Sequence, residues 1–262
     1  MPQSAARPDE VANRHHPDFT RRLSLIFLAG LLLRVAYVLL VERGAPLSGD
    51  GIYYHEAANL LADGLGFTEP YRYLHGGAQE YLFAADPSAI ATSAYTALPV
   101  GHIEPTAGHP PLWVLVLGFS SMLGFTSVAA HQMLGALVGA VGVAAVGWAG
   151  RTLDGPRTGL IAASIAAVHA CLWLSDGLVM SESLVVVGTA IVVGCAVRAY
   201  NSPETRWIIL LGLAGGLTAL VRAEMLLVLP LVALPVLRAP GIDLRRRLMR
   251  YVAIGLVAGA VL

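Results

Sequence analysis

The chain has 262 residues, of which 56% are apolar and 13% charged, and its 17 basic and 17 acidic groups balance. A soluble domain carries about 25% charged residues. Here the apolar residues fall instead into runs of roughly 15 to 20, the length that crosses a ~30 Å hydrocarbon core. An ordinary soluble globule is excluded, and an all-α, polytopic helical membrane protein is expected.

Charge placement gives a direction. The chain has no lysine, so every basic residue is an arginine. Arg7, Arg14, Arg21 and Arg22 precede the first apolar run, and Arg238, Arg245, Arg246, Arg247 and Arg250 follow a late one. Between residues 42 and 109, eight carboxylates face only Arg43 and Arg72. Arginine-rich flanks stay cytoplasmic, so the N-terminus and residues 238–250 read as cytoplasmic and the acidic loop as exterior. No polybasic footprint for nucleic acid exists.

In chain order, residues 1–22 lack periodicity and read as a disordered cytoplasmic tail. The first apolar run, residues 23–41, is too long for a signal-peptide core and lacks an Ala-x-Ala exit, so it reads as a retained span. Residues 42–109 form the exterior loop, with a juxtamembrane helix over 52–63 that Gly64 and Gly66 stop. Residues 68–108, rich in proline and glycine, read as mostly irregular. Apolar runs follow at 112–125, 128–149, 158–174, 178–199, 207–221 and 225–237. A last run from Tyr251 stops at Leu262 in mid-span, as in a truncated chain, so the membrane region is taken as 23–262. Cys171 and Cys195 lie inside apolar runs and read as packed small residues. No internal repeat is visible.

The turns with Arg151 and Arg157, and with Arg198 and Arg206, both read as cytoplasmic. An odd number of crossings must then lie between residues 110 and 240, yet there are six runs. Residues 112–125 are the best candidate for the run that does not cross. Fourteen residues at 1.5 Å each reach roughly 21 Å. Asp176, Glu182 and the Arg222–Glu224 turn then face the exterior with the acidic loop.

Several residues stand out for chemistry. Asp50, between Gly49 and Gly51 and close to Tyr53 and Tyr54, has two readings. Aspartate at a helix start is a favoured cap, and a carboxylate at the membrane surface can also take a proton from an acceptor hydroxyl. In His109-Pro110-Pro111-Leu112-Trp113 the prolines suit a helix start and Trp113 suits the interfacial belt. That leaves His109 free to bond a phosphate. Glu104 reads equally well as a solvated loop carboxylate. Arg34 lies near the middle of the first span, where a charge needs a partner. It either locks helices in an ion pair or meets a substrate. Arg222 either pairs with Glu224 at a turn or bonds a lipid phosphate through its guanidinium fork. Asp176 and Glu182 read as loop carboxylates capping the next helix, Glu182 being the less ordinary of the two.

Taken together these features resemble the GT-C membrane glycosyltransferases, in particular the protein O-mannosyltransferases and the aminoarabinose transferases of lipid A. The resemblance rests on the first span, Gly49-Asp50 with Tyr53-Tyr54, the long exterior loop and His109-Pro110-Pro111-Leu112. It continues through the 151–160 turn from Arg151 to Leu160, Met180-Ser181-Glu182-Ser183, and the glycine-rich stretch from Gly212 to Arg222. It covers roughly residues 23–238. The resemblance implies a GT-C-like transmembrane bundle in a bacterial-type plasma membrane. It implies inverting transfer of a sugar from a polyprenyl-phosphate donor to a glycan, lipid or protein acceptor at the exterior face. The family's first-loop aspartate, its base, maps onto Asp50. Arg222, His109 and Arg34 would supply cations for the leaving phosphate, with Glu182, Tyr53 and Tyr54 as further substrate contacts. The chain departs from the family twice. Gly51 stands where the mannosyltransferases have a second acid, and His109 stands where the aminoarabinose transferases have lysine, so the acceptor does not carry over. No cofactor or metal site is expected from the acidic spacing, although Asp50 with Glu182 would suit a divalent cation. The competing functions are a transporter or flippase of lipid-linked intermediates, using the intramembrane charges, and a non-catalytic scaffold.

Overall fold

A computed structural model describes residues 16–47, 49–75 and 100–262. Among them the secondary structure is helical, with one isolated antiparallel bridge between Thr68 and Pro105. Helix α1 (His16–Tyr37) continues through a π-helical turn, Val38–Glu42. It is followed by α2 (Asp50–Ala62), α3 (Pro70–His75), α4 (Pro111–Met122), α5 (Val128–Val168) and α6 (Ala170–Gly177). Then come α7 (Glu182–Asn201), α8 (Thr205–Ala219), α9 (Met225–Ala233) with a 3-10 extension Leu234–Arg238, and α10 (Leu244–Gly259). Among the described residues three helices are long and apolar enough to cross a membrane: Asp18–Glu42, Val128–Val168 and Glu182–Asn201.

Several boundaries differ from expectation. Residues 16–22 are not a loose tail: α1 begins at His16, because Asp18 sits in the favourable first turn and pairs with Arg22 four residues on at 2.9 Å. Residues 1–15, Ser48 and residues 76–99 lie outside the described residues. The segment expected to be irregular contains α3 and a tied strand-like contact, in which Glu69 N–H donates to Glu104 O at 2.8 Å and Thr106 N–H to Phe67 O at 2.9 Å. Glu104 pairs with Arg72. The arginine cluster is itself helical, because Asp243 accepts from Arg246 N–H at 2.9 Å and caps α10 inside it.

α5 is two limbs. Asp154 (φ −149°) and Gly155 (φ 88°) leave the helical region ahead of Pro156, and the chain doubles back. Gly147 and Gly150 on the first limb lie against Gly159 and Ala163 on the second, and with no side chain at those glycines the limbs pack in close contact. The N-terminal turns of α1 meet this reversal, with the Arg151 guanidinium over the Phe19 ring at 4.5 Å. The far end of α1 meets the far end of α6, where Glu42 bonds Tyr37 and both flank Gly177. Chain reversals therefore gather at two ends of the bundle. One holds the start of α1, the 154–157 turn, the α7–α8 link and the start of α10. The other holds the end of α1, α2, and the 178–181 and 220–224 turns.

α4 runs differently. Its first turn is fixed by Leu112 N–H donating to Leu220 O at 2.9 Å, and the segment after it by Asn59 Nδ2 donating to Thr126 O at 3.2 Å. Both ends stay at the second end of the bundle, and α4 lies along α2. Tyr53, Tyr54, Ala57 and Ala58 from α2 and Trp113, Val114 and Leu117 from α4 form one buried cluster with Tyr71 and Val179.

Candidate active site

The site is assembled where α2, α4, α7 and the 220–224 turn meet. α2 begins at Asp50, after Gly49 at φ 54°, and no side chain caps it. The capping reading of Asp50 is thereby corrected. The aspartate is the first helical residue, its carboxylate is free of the backbone, and its side chain is 50% exposed. Gly51 makes a close approach within the chain. A Cβ there would lie 2.2 Å from Leu178 O, so a second acid beside Asp50 has no room. The glycine serves helix-to-turn contact rather than approach to a ligand.

The turn beneath is strained. Val179, β-branched and fully buried, has φ 59°, a left-handed conformation that such residues rarely hold. Its neighbours compensate: Val179 O accepts from Trp113 Nε1 at 3.0 Å, and Gly177 O accepts from Gln132 Nε2 at 2.8 Å. The same turn presents Ser181 and Glu182 to the site.

His109 lies on the Tyr53 ring, centroids 4.0 Å apart at 27°, and meets Tyr54 edge-on at 5.1 Å. Its Nε2 is 3.4 Å from Asp50 Oδ1, an ionic contact when the imidazole is protonated. Tyr54 joins the two halves. Its hydroxyl donates to Ser181 Oγ at 3.4 Å, and it feels the charges of Asp50, Arg222 and Glu182. Burial raises the pKa values of Tyr53 and Tyr54, and pushes that of Tyr71 up to about 12. These phenols stay protonated and act as hydrogen-bond donors.

Arg222 Nη2 meets Glu182 Oε1 at 2.5 Å, and its Nη1 lies 4.0 Å from Glu224. The strong partner is Glu182, forty residues away, and the expected turn pair with Glu224 is only marginal. Two buried polar atoms here have no hydrogen-bond partner among the described residues, His109 Nδ1 and Glu182 Oε2. Such atoms are costly unless something satisfies them.

Six of the seven expected residues therefore converge: Asp50, Tyr53, Tyr54, His109, Glu182 and Arg222. Arg34 does not join them. It is 1% exposed, its Nε lies 2.8 Å from the fully buried Asp176, and its Nη atoms donate to Gly30 O, Ala167 O and Ala166 O. Asp176 was expected at an exterior loop. It lies instead inside, bonded also by Ser183, because Arg34 needs a counter-charge. Gly139 makes space for the pair: a Cβ there would meet the Asp176 carboxylate at 2.5 Å.

Sequence reasoning missed a buried ring that fixes α2. Ser121 Oγ donates to Asn59 Oδ1 at 2.8 Å and lies 3.0 Å from His131 Nε2. His131 Nδ1 faces His55 Nδ1 at 2.9 Å, and His55 Nε2 faces Asn59 Nδ2 at 3.4 Å. The roles follow by elimination. With Ser121 donating to Asn59, His131 carries its proton on Nε2, and His55 then donates from Nδ1. Both rings are neutral, and burial lowers the pKa of His55 against the opposing pull of Glu56. The i, i+4 spacing of His55 and Asn59 was the only signal in the sequence. Among the described residues no group of three or more His, Cys, Asp or Glu gathers.

Compared with family models, with curated proteins and with solved structures, the chain matches none.

Proposed function

We propose that this chain is a multi-pass membrane glycosyltransferase that moves a sugar from a polyprenyl-phosphate donor to an acceptor hydroxyl at the exterior face, with inversion. The observation that carries this reading is the convergence of an uncapped, half-exposed carboxylate, Asp50, with a cation, Arg222, and two unsatisfied buried polar atoms, His109 Nδ1 and Glu182 Oε2. Asp50 takes the proton of the acceptor hydroxyl. The oxygen bonds to the anomeric carbon, and the bond to the lipid phosphate breaks with its electron pair going to the phosphate. Arg222, oriented by Glu182, neutralises that charge, and His109 supplies a second donor. Tyr53 and Tyr54 offer ring faces and hydroxyls to the sugar.

The donor's tail has a matching surface. An apolar groove of about 350 Å³ begins beside the Arg222–Glu182 pair and is lined by Leu112, Leu184, Val187, Leu213, Leu217 and Val221. A phosphate at Arg222 leaves an isoprenoid chain lying along it. A transporter reading would need intramembrane charges free to meet cargo, and Arg34 and Asp176 engage each other instead. The test is direct. Membranes containing the chain are incubated with radiolabelled polyprenyl-phosphate sugars, and label is expected to appear in an acceptor. Label that crosses the membrane while remaining on the lipid would favour the transporter.

A further inference from the structure

At the opposite end of the bundle, a cavity of about 410 Å³ opens between α8, α10 and the α7–α8 link. Thr205, Arg246 and Arg250 line it together with Ile208, Met249 and Ala253. Arg250 Nη2 donates to Ala199 O and Ser202 O, both at 2.8 Å, which anchors the guanidinium on the last carbonyls of α7. Its Nε and Nη1 are buried and have no hydrogen-bond partner among the described residues. Among the described residues no carboxylate bonds Arg250. Asp243 reaches Arg246 only at the rim, at 3.4 Å, where their side chains are 76% and 60% exposed.

The Arg250 side chain is half-buried, but its two enclosed nitrogens go without a hydrogen bond among the described residues, and an anion entering the cavity would satisfy them. A neighbouring cavity at the same end shows the contrast. It is lined by Arg22 and Arg157 but also by Asp18 and Asp154, and is self-neutralised. Over residues 198–206 and 238–250, arginines outnumber carboxylates seven to two. The uncompensated cavity also has an apolar wall, so it suits an amphiphile better than a bare ion.

We propose that this cavity binds the phosphate headgroup of an anionic phospholipid, with Arg250 and Arg246 as its ligands and the acyl chains against Ile208, Met249 and Ala253. The site rests on the reading that the chain spans a membrane, but not on glycosyl transfer. Basic pockets between helices on the arginine-rich side are where acidic headgroups collect.

The test uses the full chain in detergent, titrated with phosphatidylglycerol, phosphatidylcholine or inorganic phosphate while the thermal midpoint is followed. Phosphatidylglycerol is expected to raise the midpoint by about 3 °C or more over phosphatidylcholine, as a ligand bound only to the folded state does. Arg246→Gln and Arg250→Gln should lose most of that rise, and Arg157→Gln should keep it. Arg250→Gln also removes the anchor on α7, so Arg246→Gln, an exposed position, decides the matter if the first variant is poorly folded. An equal rise in all three variants would mean diffuse charge attraction and overturn the site. So would no preference for phosphatidylglycerol, or the same rise with inorganic phosphate alone. Sugar transfer is not read in this assay, so failure here leaves the transferase proposal standing, and the reverse.

Discussion

Asp50 heads α2 without bonding to it, and this separates its chemistry from its structural surroundings. Asp50→Asn should therefore leave the thermal midpoint nearly unchanged while lowering transfer by about 10²-fold or more, the contribution of a positioned general base. Turnover within a few-fold of wild type would end the assignment of Asp50 as the base. Arg222 makes a sharper case because its partner is now known. Arg222→Lys keeps the charge but loses the planar fork, so donor affinity should fall several-fold. Glu182→Gln should weaken donor binding less, by loosening the guanidinium, and Glu224→Ala, on a 4.0 Å contact, should change little. If the Arg222–Glu182 pair is only structural, both Arg222→Ala and Glu182→Gln lower the midpoint while donor affinity stays normal. Titrating donor lipid against each purified variant separates the two.

At the scale of elements, α2 is the part that positions the site, and two devices hold it. The first is Gly51 against Leu178 O. In Gly51→Ala the added Cβ meets a backbone oxygen that has little room to retreat, because Val179 beside it is buried and bonded to Trp113. A loss of about 1–3 kcal/mol is expected, with reduced transfer, as measured by thermal unfolding and the label assay. The second is the His55–His131–Ser121–Asn59 ring. His55 is held below its ordinary pKa in the folded state, so its contribution is complete above about pH 6.5 and is lost as pH falls below that value. Replacing both histidines, His55→Leu with His131→Leu, should flatten the pH dependence of the midpoint between pH 7 and 5. His55→Leu combined with His131→Leu should cost less than the sum of the single changes, since neither leaves the other unpaired. An unchanged slope in the double variant would show that the ring is not the titrating element. Helix positions were largely legible in the sequence, because apolar runs and glycine stops are local signals; 52–63 was expected and Asp50–Ala62 is found. The ring and the Arg34–Asp176 pair were not legible. They join residues 76 and 142 apart, and a single sequence carries no trace of which distant polar groups meet.

Across the whole molecule, the Arg34–Asp176 pair ties α1 to α6, with Ser183 extending it to α7. Removing one partner leaves a buried charge, so Arg34→Met should cost about 3–5 kcal/mol, and adding Asp176→Leu should recover much of it. If the single and double changes cost the same, the pair is not the source of the loss. The path of the chain makes the wider prediction. Residues 128–153, 156–177, 182–201, 205–219 and 225–238 each run between the two ends of the bundle, while α4 begins and ends at one. If the bundle lies in a membrane with its arginine-rich end inside, positions 100 and 224 face the exterior and 157 the cytoplasm. Single cysteines at Val100, Arg157 and Glu224, all exposed residues, in a background without Cys171 and Cys195, test this with a membrane-impermeant thiol reagent. Labelling of 100 and 224 in intact cells, and of 157 only after permeabilisation, is expected. Were α4 to cross, every later segment would invert, and 157 would label from outside while 224 would not. The assay thus asks whether a helix of 12 residues, about 18 Å long, spans the bilayer or covers the site from one side.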